Sequence, residues 1–92
     1  MNFRGEKNMK PGDIFQYNAS LALSVYHKNK HGDYYINNNL DSRKVPASGV
    51  TLMFIQSIQQ NIYKENRYLF YVMEYNMFTC FISSSLSYLV KV

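Results

Sequence analysis

One cysteine, no tryptophan, two prolines and four glycines stand in 92 residues. The single Cys80 excludes an internal disulfide and any zinc finger built on paired cysteines, and it fits a reducing cytoplasm. No apolar run approaches the roughly 20 residues of a membrane-spanning helix. The charged N-terminus is not followed by the apolar region of a secretory signal. Asn18-Ala19-Ser20 matches a glycosylation acceptor, which without such a signal is read as chance. The glycines are isolated, so there is no phosphate loop, and no G-x-S-x-G elbow surrounds Ser83-Ser84-Ser85. Asp13, Asp33, Asp41, Glu65 and Glu74 show no paired-carboxylate spacing. No enzyme, cofactor or metal is expected.

Charge is also scarce. Charged residues make up 17% of the chain, against about 25% in ordinary domains. The net charge of +4 is carried by scattered Lys and Arg that never form a run of three. That balance permits contact with nucleic acid or an acidic protein without demanding it.

Nine Tyr and a hydrophobic fraction of 47% take up the space. Tyr buries its ring and keeps its hydroxyl wet, which suits a thin barrel wall or a sticky surface. The length is that of one domain with one modest core.

The last third organises the chain. Residues 68–75 and 77–82 read as two β-prone runs, with Tyr75-Asn76 as the turn, because Asn tolerates left-handed geometry. Ser83-Ser84-Ser85 breaks the second run, and residues 87–92 read as a closing strand. Upstream, Lys10-Pro11-Gly12-Asp13 is turn chemistry before a strand at 14–17. Leu21, Leu23 and Val25 alternate with Ala22, Ser24 and Tyr26 at the period of a half-buried strand. His27 to His31 with Gly32-Asp33 reads as a polar turn, across which residues 34–36 pair back. Residues 37–44 are a polar loop and 45–49 a second turn, because Pro46 holds Val45 extended and Gly49 frees the backbone. Residues 50–58 are a long strand and 59–66 an exposed loop or strand extension, with a short helix over 56–64 as the lesser alternative. The expected core is Ile14, Leu23, Leu52, Phe54, Phe70, Val72, Cys80, Ile82 and Leu89.

Residues 1–9 read as a disordered leader and 10–92 as the domain. Arg4-Gly5-Glu6 can be encoded by a purine-rich run of the kind found in a bacterial ribosome-binding site, just upstream of Met9. Met9 is therefore read as the natural start. The heavy use of Asn, Lys, Tyr and Ile fits an AT-rich bacterial or phage genome.

The opening Lys10-Pro11-Gly12-Asp13-Ile14, the order of strands and the ending FISSSLSYLVKV resemble a bacterial-type Src-homology-3-like barrel. The resemblance implies an all-β fold of about five to seven antiparallel strands with a short 3-10 turn before the last. The tryptophan of such barrels is absent, and Cys80 stands near their fourth-strand glycine. An oligonucleotide-binding barrel is the runner-up. The resemblance also implies a contact face made by the long loop and the 3-10 turn, where Tyr17, Tyr26, Tyr34, Tyr35 and Tyr88 would gather. Arg43 and Lys44 supply charge there. The same tyrosines could instead roof a small core.

His27, His31 and Asp33 have a spacing that could bind a metal on a helix, but Gly32-Asp33 marks a turn. Cys80 lies between Phe78 and Ile82 and reads as a small hydrophobe. The expectation is a non-catalytic protein-binding module. It would be a phage accessory protein that docks on and modulates or inhibits a bacterial host or defence protein, in the cytoplasm of the infected cell. The alternatives are a nucleic-acid-binding barrel, with Lys28 and Lys30 beside the tyrosines, and a self-associating structural subunit.

Overall fold

A computed structural model describes residues 9–28, 30–32, 34–35, 44–58 and 66–92, with the backbone alone at 34, 35 and 44. The fold is all-β. The strands are β1 (Ile14–Tyr17), β2 (Leu23–Ser24), β3 (His27–Lys28), β4 (Tyr34–Tyr35), β5 (Lys44–Val45), β6 (Thr51–Ile58), β7 (Arg67–Val72), β8 (Met77–Ile82) and β9 (Leu89–Lys91). A 3-10 helix, Ser83–Tyr88, separates β8 from β9. Five strands form one antiparallel sheet in the order β8-β7-β6-β1-β9, which is not closed on itself. Two short ribbons, β2-β5 and β3-β4, belong to the arm between β1 and β6. No helix among the described residues is long and apolar enough to cross a membrane.

The turn before β1 forms for local reasons. The Lys10 N–H donates to the Asp13 carboxylate at 2.9 Å, and Gly12 takes a φ of +94° that other residues resist. Gly12 and Asp13 then bond to the backbone of Phe54, which starts the β1-β6 pairing. Along β6, Leu52 and Phe54 point inward, until the register slips between Phe54 and Gln56. Such a bulge bends its strand and increases the twist. One strand can thereby pair with β1 over its first half and with β7 along its length.

The hairpin turn is longer than the sequence reading placed it. β7 ends at Val72, and residues 73–76 make the turn, with Asn76 at a φ of +51°. Tyr71 donates its phenol proton to the Asn76 side-chain oxygen. The Glu74 carboxylate reaches back to the start of β6. It accepts the Thr51 N–H at 2.8 and 3.0 Å and the Thr51 hydroxyl at 2.9 Å. These bonds hold the Glu74 carboxyl below its ordinary pKa. The Thr51 N–H is the main cause, and its hydroxyl adds to it.

The core is built from Phe15, Tyr17, Leu52, Phe54, Phe70, Val72, Phe81, Leu86 and Leu89, to which the arm contributes Leu23. Of the expected core, Leu23, Leu52, Phe54, Phe70, Val72 and Leu89 are buried. Ile14, Cys80 and Ile82, also expected inside, are only half-buried. Residues directly opposite in an antiparallel pair share a face. Phe70 lies opposite Thr79, and Tyr68 opposite Phe81, so Thr79 and Phe81 are inside, while Cys80 and Ile82 fall on the other face. In β1 the inward residues are Phe15 and Tyr17, which turns Ile14 away. Met9, assigned to the leader, is buried against the core. Residues 1–8 of the expected leader, 37–43 of the expected polar loop and 59–65 of the expected exposed loop lie outside the described residues.

Two outcomes follow. Phe70 is fully buried, so Phe70→Ala should cost about 3–5 kcal/mol in urea unfolding. Tyr71→Ala, at a half-buried position, should cost clearly less. For Glu74, the folded pKa lies below the unfolded one. Its stabilisation is therefore complete above the unfolded value of about 4.3 and is lost as pH falls through the folded value. Glu74→Gln should cost about 1 kcal/mol at neutral pH and flatten the stability–pH slope below pH ~4.

Candidate binding surface

The arm lies along the outer edge of β8. Among the described residues it is joined there by a backbone bridge from Tyr26 to Phe78, with the Tyr26 N–H donating to the Phe78 carbonyl at 2.8 Å. A depression opens on each side of that bridge, one towards the 3-10 helix and one towards the hairpin turn.

The depression beside the 3-10 helix has a volume of about 160 Å³. Its floor is Tyr17, Thr79 and Phe81, all buried. Its walls are arm residues 21–24 and Cys80, with Ser85 and Tyr88 from the 3-10 helix. Two large side chains stand out at its rim: Leu21 is 59% exposed and Tyr88 37%. The Tyr88 ring sits edge-on to Tyr17, with centroids 6.4 Å apart, and Tyr17 in turn packs on Phe81 at 5.7 Å. Burial pushes the Tyr17 phenol above its usual pKa, and Tyr88 adds to the shift.

The second cleft is larger, about 410 Å³. Val25, Tyr26, His27 and Lys28 from the arm face Tyr75, Asn76, Met77 and Phe78 of the hairpin, with Val45 alongside. Two hydroxyls brace it. Tyr75 donates to the Pro46 carbonyl at 2.7 Å, and the Tyr26 oxygen lies 3.4 Å from Arg67 Nη1, which donates to it.

Of the sequence-derived contact residues, Tyr17 and Tyr88 line the smaller depression and Tyr26 lines the larger cleft. Tyr17 is 2% exposed and serves as floor, not as a surface anchor. Tyr34 and Tyr35 lie in β4, with backbones opposite Lys28 and His27, and Lys44 lies in β5 opposite Ser24. Arg43 and Asp33 lie outside the described residues. Sequence reasoning missed Leu21, Thr79, Tyr75 and Met77. Leu21 had a signal, a large aliphatic residue straight after the Asn18-Ala19-Ser20 break. Thr79 had none, because its place inside depends on cross-strand pairing.

Among the described residues, no three His, Cys, Asp or Glu side chains gather where they could hold a metal. Burial pushes the Cys80 thiol up to about 12, a shift that the nearby Arg67 only partly opposes. A thiol held neutral is a poor nucleophile. At pH 8, Cys80 should react with iodoacetamide far more slowly in the folded chain than in urea, as read by mass spectrometry. Equal rates would show the thiol to be open and ionised. The arm thus borders two depressions, and a further one of about 380 Å³ lies between residues 46–50 and Glu74 and Tyr75 of the hairpin turn. No family model, curated protein or solved structure matches the chain.

Proposed function

We propose that the chain is a non-catalytic protein-binding module whose contact face is the depression between the arm and the 3-10 helix. The carrying observation is the pair Leu21 and Tyr88. They come from elements far apart in sequence, both are exposed, and they flank one depression with a buried aromatic floor. An exposed tyrosine beside an exposed aliphatic residue, over a buried aromatic floor, fits an interface centre, where aromatic residues are enriched. The scaffold is read as a Src-homology-3-like small barrel. The sheet order, the long arm between β1 and β6, the bulge that bends β6 and the 3-10 helix before β9 support that reading. The partner is proposed to be a bacterial protein, of host or phage, and the chain a phage accessory protein that modulates it. Residue usage, heavy in Asn, Lys, Tyr and Ile, favours that setting.

A second reading draws on the larger cleft. Tyr26, Tyr75 and Phe78 beside Lys28 could stack a base and meet a phosphate, as in single-strand binding.

The test begins with capture of a partner from bacterial lysate on the immobilised chain, followed by titration. Leu21→Ala and Tyr88→Ala should each weaken binding by about 2 kcal/mol or more without loss of fold. Met73→Ala, at an exposed position in the hairpin turn, should do little. Binding indifferent to Leu21 and Tyr88, or falling steeply with salt as phosphate contacts do, would move the function to the larger cleft.

A further inference from the structure

Thr79 is an unexpected occupant of its position. It faces inward opposite Phe70, is 1% exposed, and its hydroxyl has no hydrogen-bond partner among the described residues. A buried hydroxyl left without a partner is destabilising, and valine would fill the same shape in a strand without that cost. The hydroxyl belongs to a residue that lines the floor of the depression beside the 3-10 helix.

The rest of the lining limits what could meet it. No charged side chain is present among the described residues there. The polar groups are neutral: the hydroxyls of Ser24, Ser85 and Tyr88 can each donate and accept. The backbone adds a further pair. Phe78 turns its carbonyl towards the arm to meet Tyr26, and by the alternation of an antiparallel edge the N–H and C=O of Cys80 point the same way. A charged ligand would shed its hydration here without an opposite charge in return. At about 160 Å³ the space is well under the ~300 Å³ of a whole small-molecule site, and it suits a single side chain.

We propose that this depression takes the neutral carboxamide of an Asn or Gln side chain on a protein partner, with Thr79 as the buried group that selects it. This rests on the binding-module reading above. A carboxamide has a donor and an acceptor at its tip, which match the Thr79 hydroxyl and the Cys80 backbone. Its short apolar stem lies between Leu21 and Tyr88.

A random-peptide library displayed on phage, panned against the full 92-residue chain, tests this. Enriched peptides should share an Asn or Gln. For a synthetic peptide from that set, Thr79→Val should weaken binding at least tenfold while the melting temperature holds or rises, and Thr79→Ser should keep most of the affinity. Changing the peptide's Asn or Gln to Leu should weaken wild-type binding by a similar factor and have little further effect on Thr79→Val, because the two changes remove one shared contact. Peptides that need Tyr88 but bind Thr79→Val as well as wild type would overturn the carboxamide assignment and leave the module reading standing; the hydroxyl would then meet only water. A consensus built on a charged residue would overturn it equally. If no enriched peptide depends on Tyr88, both readings fall.

Discussion

The Phe70 ring sits where four strands of the sheet converge. Its centroid is 5.3 Å from Phe81, 5.4 Å from Phe54 and 5.8 Å from Phe15, with edge-on or tilted contacts to each. Aromatic pairs favour such angles, because the positive edge of one ring meets the negative face of the next. The cluster joins β1, β6, β7 and β8, and it fixes which face of each is inside. In a chain this small there is one core, so the register of every long strand answers to it.

From that register the smaller depression follows. With Phe70 inside, its partner across the hairpin must also be inside, and that partner is Thr79. Phe81 follows two residues later and meets Tyr17, which β1 has turned inward beside Phe15. The floor of the depression is thus the edge of the core itself, held by the same aromatic contacts. Apart from Cys80 of β8, the walls come from the arm and the 3-10 helix, which lie outside the five-stranded sheet.

The hairpin turn has a second task. Glu74 ties it to Thr51 at the start of β6, and Tyr75 ties it to Pro46 at the end of the arm. These contacts link segments that are 23 and 29 residues apart in sequence. They brace the arm from the side opposite the 3-10 helix and shape the larger cleft, which has Lys28 at its wall and no carboxylate among its described lining residues. The two depressions therefore differ in electrical character although one arm borders both.

Much of the fold was legible in the sequence. The Lys10-Pro11-Gly12-Asp13 turn, the strand at 14–17, the long strand from Thr51 to Ile58, the serine-rich break and the short last strand are all local signals, of turn chemistry, β-branching and alternation. The pairing of Tyr34 and Tyr35 back across the polar turn was equally plain. What the sequence could not decide was facing and meeting. In β8, Cys80 and Ile82 are more apolar than Thr79, yet Thr79 is inside, because pairing with Phe70 outranks residue type. Tyr17 and Tyr26 look alike in the sequence, yet one lies in the core and the other lines a cleft. Local composition determined which residues are strands and turns, since backbone preference acts over a few residues. Tertiary structure alone decided which side chains share a depression, because that depends on register between strands far apart in the chain.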